Sequence, residues 1–583
     1  MDIHPRFRFS PRPNRAADIA WRPWGEEAFQ EAQAAHRPVL LSLSAVWCHW
    51  CHVMDETTYS DPSVIDLINQ HFIPVRVDND VRPDINLRYN MGGWPTTAVL
   101  TPDGEVLTGG TYLPAEGLRD LLTQAEAYFQ QHEDELRQKA PPVERLEPDP
   151  VPVPPPPEGV AEVLTAIQTQ YDRAYGGIGA APKFPMPDVW ELLLARYSLA
   201  GESWAGGMAV RTLDVMAGGA LYDSAEGGFF RYSTNREWSV PHFEKMLDDN
   251  ARLLSLYLHA FQVTGDQSYR ELARHLATWL ETRLLQSSGL FGGSQDADEE
   301  YYRLTAEERS RRPPPAVDPT AYAGPNALAV SALLSASALV DPRFRAPALT
   351  ALESVFDNLW TVDGLRHDNR EGAVLNWLGD LVALGHATLD AFELTGDPVH
   401  AERAQDVLHL MDRTLKDAHP GYFDHPAAPG ERGRMAVRQK PLNENAEAAR
   451  FLRRIGLLTR DLALVDRSAG WLGAFAALAR RFGAFGAGWA WVATGFSVPP
   501  LEIRLALPEE GGGLELRQAA FSLYYPERVV RVLKAGDPDR AEMGIADDAP
   551  AALYLCQGTR CAPPVERPED LPKALQMLAQ GDG

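Results

Sequence analysis

The chain has 583 residues, 45% hydrophobic and 23% charged, a globular composition too long for one ordinary domain, so two or three domains are expected. Eighty Asp and Glu against 55 Lys and Arg give a net charge of -25, which disfavours nucleic acid and anionic membrane as partners, since both select a basic footprint. No run of about 18 apolar residues occurs, so no spanning helix is expected. The basic, proline-containing start MDIHPRFRFSPRPNR lacks the apolar core of a secretory signal. Four cysteines in so large a chain argue against a secreted disulfide scaffold and for a reducing, cytoplasmic setting, where cysteines serve catalysis, metal binding or the core.

Residues 1–140 read as α/β. The pattern predicts a helix over Trp24–Ala35, a buried strand over Val39–Ala45, a helix over Pro62–His71 and an alternating strand over Phe72–Asp78. Thr97–Leu100 and Val106–Gly109 form a hairpin around Pro102-Asp103-Gly104, and Ala115–Gln138 a long amphipathic helix. This is the element order of a thioredoxin fold. Residues 141–158 (Pro141–Pro157 reads PPVERLEPDPVPVPPPP) are a semi-rigid linker, because the prolines forbid helix and ladder and favour extended polyproline geometry. Residues 159–499 are helical and repetitive. FQVTGD ends one helix at Asp266 and FELTGD another at Asp397, and Gly-aromatic loops recur at Gly227–Phe230, Gly289–Gly292 and Gly421–Asp424. Roughly eleven helices read out, close to the twelve of an (α/α)6 toroid. Residues 500–583 return to α/β, with strands over Leu501–Ala506, Arg528–Leu533 and Ala551–Cys556 and a final helix over Pro568–Ala579. Arg309–Pro315 reads as an exposed loop.

The run Trp47-Cys48-His49-Trp50-Cys51-His52 follows the apolar stretch Pro38–Val46, and Gly93-Trp94-Pro95-Thr96 precedes another. A Cys-x-x-Cys between a buried strand and a helix, with an x-Pro strand start later, is the layout of a thioredoxin-like active site. Cys48 falls at a helix N-terminus, where the dipole and free backbone N–H groups favour thiolate. It is the attacking thiol, Cys51 one turn on is the resolver, and His49 adds to the stabilisation. Pro95, expected in cis, faces the pair and shapes substrate entry. The bland alternative is an inert buried pair. C-x-x-C-H is also a haem-attachment pattern, but that requires export. A zinc site needs a second ligand pair, and Cys556 and Cys561 are distant and more widely spaced. They read as structural thiols, or as a second redox pair relaying with the first. No cofactor and no metal are expected.

In the helical region, Trp238, His242, Glu244, Lys245 and Asp248 crowd one loop–helix junction, and Gln295-Asp296-Ala297-Asp298 follows another glycine turn. Gathered at one mouth of a toroid, aromatics and carboxylates suit a carbohydrate-like small molecule. Paired carboxylates serve hydrolysis and imidazoles serve epimerisation. Trp50, Trp94, Trp238, His242, Glu244, Lys245, Asp296 and Asp298 are the candidate substrate-binding residues. For any single carboxylate here, helix capping is an equal reading.

WCHWCHVM, RPDI (Arg82–Ile85), GGWP, GGTY (Gly109–Tyr112), APKFP (Ala181–Pro185), GGFFRYS (Gly227–Ser233), VPHFEKMLDD (Val240–Asp249) and DADEE (Asp296–Glu300), with Cys556…Cys561, together resemble the spermatogenesis-associated thioredoxin-like family over nearly the whole chain. The resemblance implies a thioredoxin-like domain fused to a six-hairpin-glycosidase-like barrel. The chain departs from the family pattern in the shortened segment before Gly92, in Asp78-Asn79-Asp80-Val81, in lacking an acidic insertion after Asp298, and in Gly379-Asp380-Leu381 where Asp-Asp-Tyr is usual. Asn445 keeps its place.

Three functions follow. The first is a thiol-disulfide oxidoreductase using Cys48, Cys51 and Pro95 on protein disulfide clients. The second is a carbohydrate-active enzyme, hydrolase or epimerase, acting in the barrel through His242, Glu244 and Asp296 with a regulatory thioredoxin domain. The third is a non-catalytic client-binding module.

Overall fold

A computed structural model describes residues 10–138, 147–428, 430–508 and 513–579. The N-terminal domain runs α1 (Glu26–Ala35), β1 (Val39–Ser44), α2 (His49–Glu56), α3 (Pro62–His71), β2 (Ile73–Asp78), α4 (Pro83–Tyr89), β3 (Thr96–Leu100), β4 (Val106–Gly110) and α5 (Ala115–Gln138). The sheet order is β2-β1-β3-β4, with β1 parallel to β2 and antiparallel to β3. Central β1 (VLLSLS) is buried along its whole length, its two serines included, because both faces are covered. The expected elements stand within two residues of their predicted limits, and α4 is an addition.

The helical region comprises α6 (Pro157–Gln170), α7 (Pro187–Ala200), α8 (Ser203–Gly218), α9 (Leu247–Thr264), α10 (Gln267–Trp279), the short α11 (Glu299–Tyr302) and α12 (Ala306–Arg309), α13 (Ala323–Leu339), α14 (Arg345–Asn358), α15 (Leu378–Thr395), α16 (Pro398–Thr414), α17 (Leu442–Thr459), α18 (Leu462–Ala474), α19 (Ala476–Phe482) and α20 (Ala487–Phe496). Six of these pack side by side in a ring, α7 on α9, then α13, α15, α17 and α20, and α20 returns to α7. Each inner helix carries an outer partner: α8, α10, α14, α16 and α18 in turn, and α6 on α20. The ring is therefore a closed (α/α)6 toroid, sealed by pairing the first helix with the last. Two-residue strands decorate its mouth loops: β5 (Tyr232–Ser233), β6 (Pro241–His242), β7 (Lys245–Met246), β8 (Ser294–Gln295), β9 (Val317–Asp318), β10 (Trp360–Thr361) and β11 (Gly364–Leu365).

The sequence repeats have physical roles. In each Thr-Gly-Asp, the glycine (Gly265, Gly396) takes the left-handed conformation that ends an inner helix, and the aspartate (Asp266, Asp397) caps the next outer one. Each Gly-aromatic loop is clamped by an asparagine in the first turn of the following inner helix. Asn250 Oδ1 accepts the N–H of Phe229 at 2.7 Å while its Nδ2 donates to the Phe229 and Met246 carbonyls. Asn326 does the same for Phe291 and Tyr322, and Asn445 for Tyr422 and Pro441. All three asparagines are buried, so the clamp satisfies loop groups that water cannot reach.

The proline-rich segment partly lies outside the described residues. Its remainder does not stand free as a spacer: Asp149 donates its N–H to Ala474 O at 2.8 Å, and Val153 O comes so close to Gly473 that any Cβ there would collide with it. The C-terminal part contains β12 (Leu501–Ala506), α21 (Leu514–Ser522), β13 (Arg528–Leu533), α22 (Pro538–Glu542), β14 (Ala552–Gln557), β15 (Arg560–Cys561) and α23 (Leu571–Ala579). Its sheet order, β13-β12-β14-β15, repeats the parallel, antiparallel, antiparallel pattern of the first sheet. A second thioredoxin-type sheet thus closes the chain. It packs on the C-terminal ends of the inner helices, through Gln262 to Phe521 O, Glu393 to Val530 N and Arg453 to Glu527, whereas the first domain sits over their N-terminal ends. The segment Arg309–Pro315 needs correction: Arg309 is buried, ends α12 and pairs with Asp223 at 2.7 Å, leaving residues 310–314 exposed.

Replacing Asn326 by Ala strands the Phe291 backbone N–H and two carbonyls in a buried loop. A loss of on the order of 2 kcal/mol is expected, read as a lower urea midpoint for the toroid; an unchanged midpoint contradicts the clamp.

Candidate functional site

Cys48 stands four residues beyond the fully buried strand β1 and caps α2. Its backbone is extended, and its Sγ accepts the N–H of Cys51 at 3.2 Å. A sulfur so placed looks into the helix N-terminus, which favours its ionised form. Cys48 and Cys51 are joined as a disulfide with Cα atoms 5.2 Å apart, and the Trp94–Pro95 peptide bond beside them is cis. Both cysteines are buried, Cys48 4% exposed and Cys51 not at all.

The covering comes from the toroid. Arg231, on a mouth loop, lies 4.2 Å over the Trp47 ring and 4.8 Å over the Trp94 ring, with Trp47 and Trp94 themselves edge to face at 5.9 Å. A guanidinium against two indoles is a favourable cation–π contact. Met246 joins Ala45, Trp47, Cys48 and Cys51 in one apolar cluster. Glu244 Oε1 accepts the N–H of His49 at 3.5 Å and holds His242 Nδ1 at 2.9 Å. Tyr232 stacks on His242 at 4.8 Å, and the His242 ring is 6.0 Å from His49. Burial pushes the Glu244 carboxyl up, but the bond from His242 and its charge bring it below the ordinary value; a fixed anion therefore stands at the α2 N-terminus beside the cysteines. Burial, with the Glu244 and Asp298 charges, raises Asp296 to about 7.

The docking extends beyond the thiols. Arg88 pairs with Asp424 at 2.8 Å and donates to the Arg434 and Val437 carbonyls. Gly433 lies against the Gly104 backbone so closely that a Cβ would meet its carbonyl oxygen. His367 bridges Asp380 at 2.7 Å and the Asp80 carbonyl at 2.6 Å. Burial lowers its pKa, but the Asp380 carboxylate overcomes this and holds it at about 9.

Of the residues read from sequence, Cys48, Cys51, Pro95, Trp94, His242, Glu244 and Asp296 thus come together at one interdomain face, and Trp50, 44% exposed, lines a cleft of about 900 Å³ beside it with His49, His242, Phe243, Glu299 and Tyr302. The others are held in structural contacts. Trp238 is fully buried, its Nε1 donating to Tyr175 O at 3.0 Å. Lys245 is fully buried between Asp223 and Gly227 O, each 2.7 Å away. Asp298 caps α11 by accepting the Tyr301 N–H at 2.9 Å. These three organise loops. Cys556 and Cys561, opposite each other on β14 and β15, form a second disulfide, at the far end of the toroid. Among the described residues no cluster of metal ligands joins the two pairs.

The toroid axis holds a separate cavity of about 670 Å³, floored by Leu523–Arg528. His259 lines it, held on Glu191 at 2.8 and 2.9 Å, as do Trp377, Trp491 and the pair His386–Glu447, 3.2 Å apart. These residues were not singled out in the sequence. Their signal was a lone polar side chain inside apolar helical runs such as WELLLA and LYLHAF.

Residues 12–146 match the family Thioredox_DsbH, described as a protein of unknown function, DUF255. Human spermatogenesis-associated protein 20 is 35% identical over 322 residues, covering 51% of this chain and 40% of that protein; its mouse counterpart is 36% identical over 307 residues, covering 48% and 39%. The matched stretch is thus about two-fifths of those relatives' length. Among solved structures, cellobiose 2-epimerase from Bacillus thermoamylovorans overlaps 53% of this chain and 85% of its own at 12% identity with a TM-score of 0.42. The motif-based family resemblance stands.

Two predictions follow from this geometry. Glu244→Gln removes an anion from the α2 N-terminus and so favours the Cys48 thiolate; the reduction potential of the pair should rise by roughly 30 mV, tenfold in equilibrium constant, in a glutathione equilibration, and a fall contradicts it. His367 has a folded pKa raised above its unfolded value, so its stabilisation is complete below pH 6.5 and lost as pH climbs through about 9. His367→Gln should flatten thermal stability between pH 6.5 and 9, and an unaltered pH profile contradicts the assignment.

Proposed function

We propose that this protein, whose N-terminal domain belongs to the DUF255 thioredoxin-like family, is a thiol–disulfide oxidoreductase. The observation that carries the reading is Cys48 Sγ at the α2 N-terminus, accepting the Cys51 N–H beside the Pro95 loop. In the dithiol form the Cys48 thiolate attacks a substrate disulfide, one substrate sulfur leaves as a thiolate, and a mixed disulfide remains. Cys51, deprotonated, then attacks Cys48 Sγ and expels the second substrate thiolate. The substrate gains two electrons and the pair returns to the disulfide. Burial keeps Cys51 from competing for substrate, and the His242–Glu244 pair, next to His49, is within reach to carry protons. Low cysteine usage supports a cytoplasmic setting, and the acidic charge supports partners other than nucleic acid or anionic membrane.

A second reading rests on the axial cavity: its size, its tryptophans and the His259–Glu191 pair suit proton transfer on a carbohydrate-like molecule. In that reading the chemistry does not use His242, Glu244 or Asp296, which lie at the thiol face.

Cys48→Ser should abolish disulfide turnover, and Cys51→Ser should accumulate a mixed disulfide visible by intact mass. Full turnover in Cys48→Ser contradicts the oxidoreductase reading. Sugar turnover that survives Cys48→Ser but is lost in His259→Ala selects the second.

A further inference from the structure

A thioredoxin-type pair ordinarily meets a protein client along the groove between the residue before the first cysteine and the cis-proline loop, where an extended segment can pair with exposed backbone. Here that groove is occupied. Arg231 lies over both Trp47 and Trp94, and Met246 packs onto Cys48 and Cys51. Both come from the same chain, and the loop carrying them is fastened: Arg231 N donates to Glu244 O at 2.9 Å, and β7 pairs with β8. A folded protein cannot bring a dithiol to Cys48 without displacing this loop.

The structure offers another approach. The cleft of about 900 Å³ has His49 and Trp50, the two residues between the cysteines, as its wall, so it leads to the first turn of α2. Its volume is that of a small-molecule site. Its other faces, Phe243, Tyr302 and the imidazole of His242, offer apolar contact and proton exchange beside the two residues that separate the cysteines. We propose that the redox partner of Cys48–Cys51 is a low-molecular-weight thiol of the glutathione class, and its disulfide in the reverse direction, admitted through this cleft, rather than a protein dithiol. The inference rests on the oxidoreductase reading above.

The step balances without another reagent. A small thiolate attacks Cys48 Sγ, forming a mixed disulfide and breaking the Cys48–Cys51 bond; Cys51 leaves as a thiolate and takes a proton. A second small thiolate attacks the small-molecule sulfur of the mixed disulfide and releases Cys48 as a thiolate, held by the Cys51 N–H. Two small thiols are oxidised to one disulfide, and the protein pair is reduced by two electrons.

The second disulfide serves as an internal control, because Cys561 is exposed and open to any reductant. The oxidised full chain is treated with reduced glutathione, or with a thioredoxin-class protein dithiol, and the two pairs are followed separately by alkylation and peptide mapping. Cys556–Cys561 should be reduced by both. Cys48–Cys51 should be reduced by glutathione at least about tenfold faster than by the protein dithiol, relative to that control. Val240→Trp and Ala297→Trp, which fill the cleft from its rim, should slow glutathione at Cys48–Cys51 and leave Cys556–Cys561 unchanged; Arg231→Ala should admit the protein dithiol. Equal access of the protein dithiol in the unaltered chain, or cleft-filling variants without effect, overturns the inference. Failure of both reductants at Cys48–Cys51, while the control pair is reduced, instead removes the oxidoreductase reading and this inference with it.

Discussion

The stacking of Arg231 over both Trp47 and Trp94 is the contact on which the rest of the molecule turns. It joins a side chain of the toroid to the two indoles that flank a thioredoxin-type site, one preceding Cys48 and the other preceding cis-Pro95. Because the cation is stacked rather than solvated, the interface does not depend on surface ion pairs, which contribute little. With Arg231 in place, Met246, Glu244 and His242 fall beside the cysteines. Two sets of residues that the sequence presents separately then form one site.

That placement governs the chemistry. The α2 N-terminus favours a thiolate at Cys48, while the Glu244 carboxylate, held anionic by His242, opposes it. The balance is set by a residue of a different domain almost 200 positions away, so the thiol pair and the toroid mouth share one electrostatic environment. The same docking roofs the axial cavity, since His367 reaches both Asp380 of α15 and the Asp80 carbonyl of the first domain. At the opposite end the second thioredoxin-type sheet supplies the floor. The toroid is thus closed above and below by two modules of like topology, only the upper of which carries a cysteine at a helix N-terminus among the described residues.

Local chemistry was legible in the sequence; long-range contacts were not. The strand–Cys-x-x-Cys–helix unit and the helical repeats are written in short windows: a short, mostly apolar strand, a capping position, a Thr-Gly-Asp turn. The toroid could be suspected from helix count, but its closure depends on α6 meeting α20, which no window contains. Trp238 and Lys245 were misread for a physical reason. A lysine in a glycine-rich loop looks available, yet Lys245 is fully buried and paired with Asp223 and a carbonyl, and burial lowers its pKa to about 8. The His259–Glu191 pair was missed because inner helices are covered on nearly every face, so their polar residues stand out only once the cavity is seen. The C-terminal sheet gave three strands but not its kinship to the first sheet, because register and strand order are tertiary properties.

The most direct test of the account is the reactivity of the reduced full chain toward two alkylating reagents, iodoacetamide and a polymer-linked maleimide, with each cysteine followed by peptide mapping. If the toroid covers the thiol face, Cys561 is labelled by both reagents, and Cys48 is labelled by iodoacetamide but protected from the bulky maleimide. Labelling of Cys48 by the maleimide as fast as Cys561 would show the face open and contradict the account.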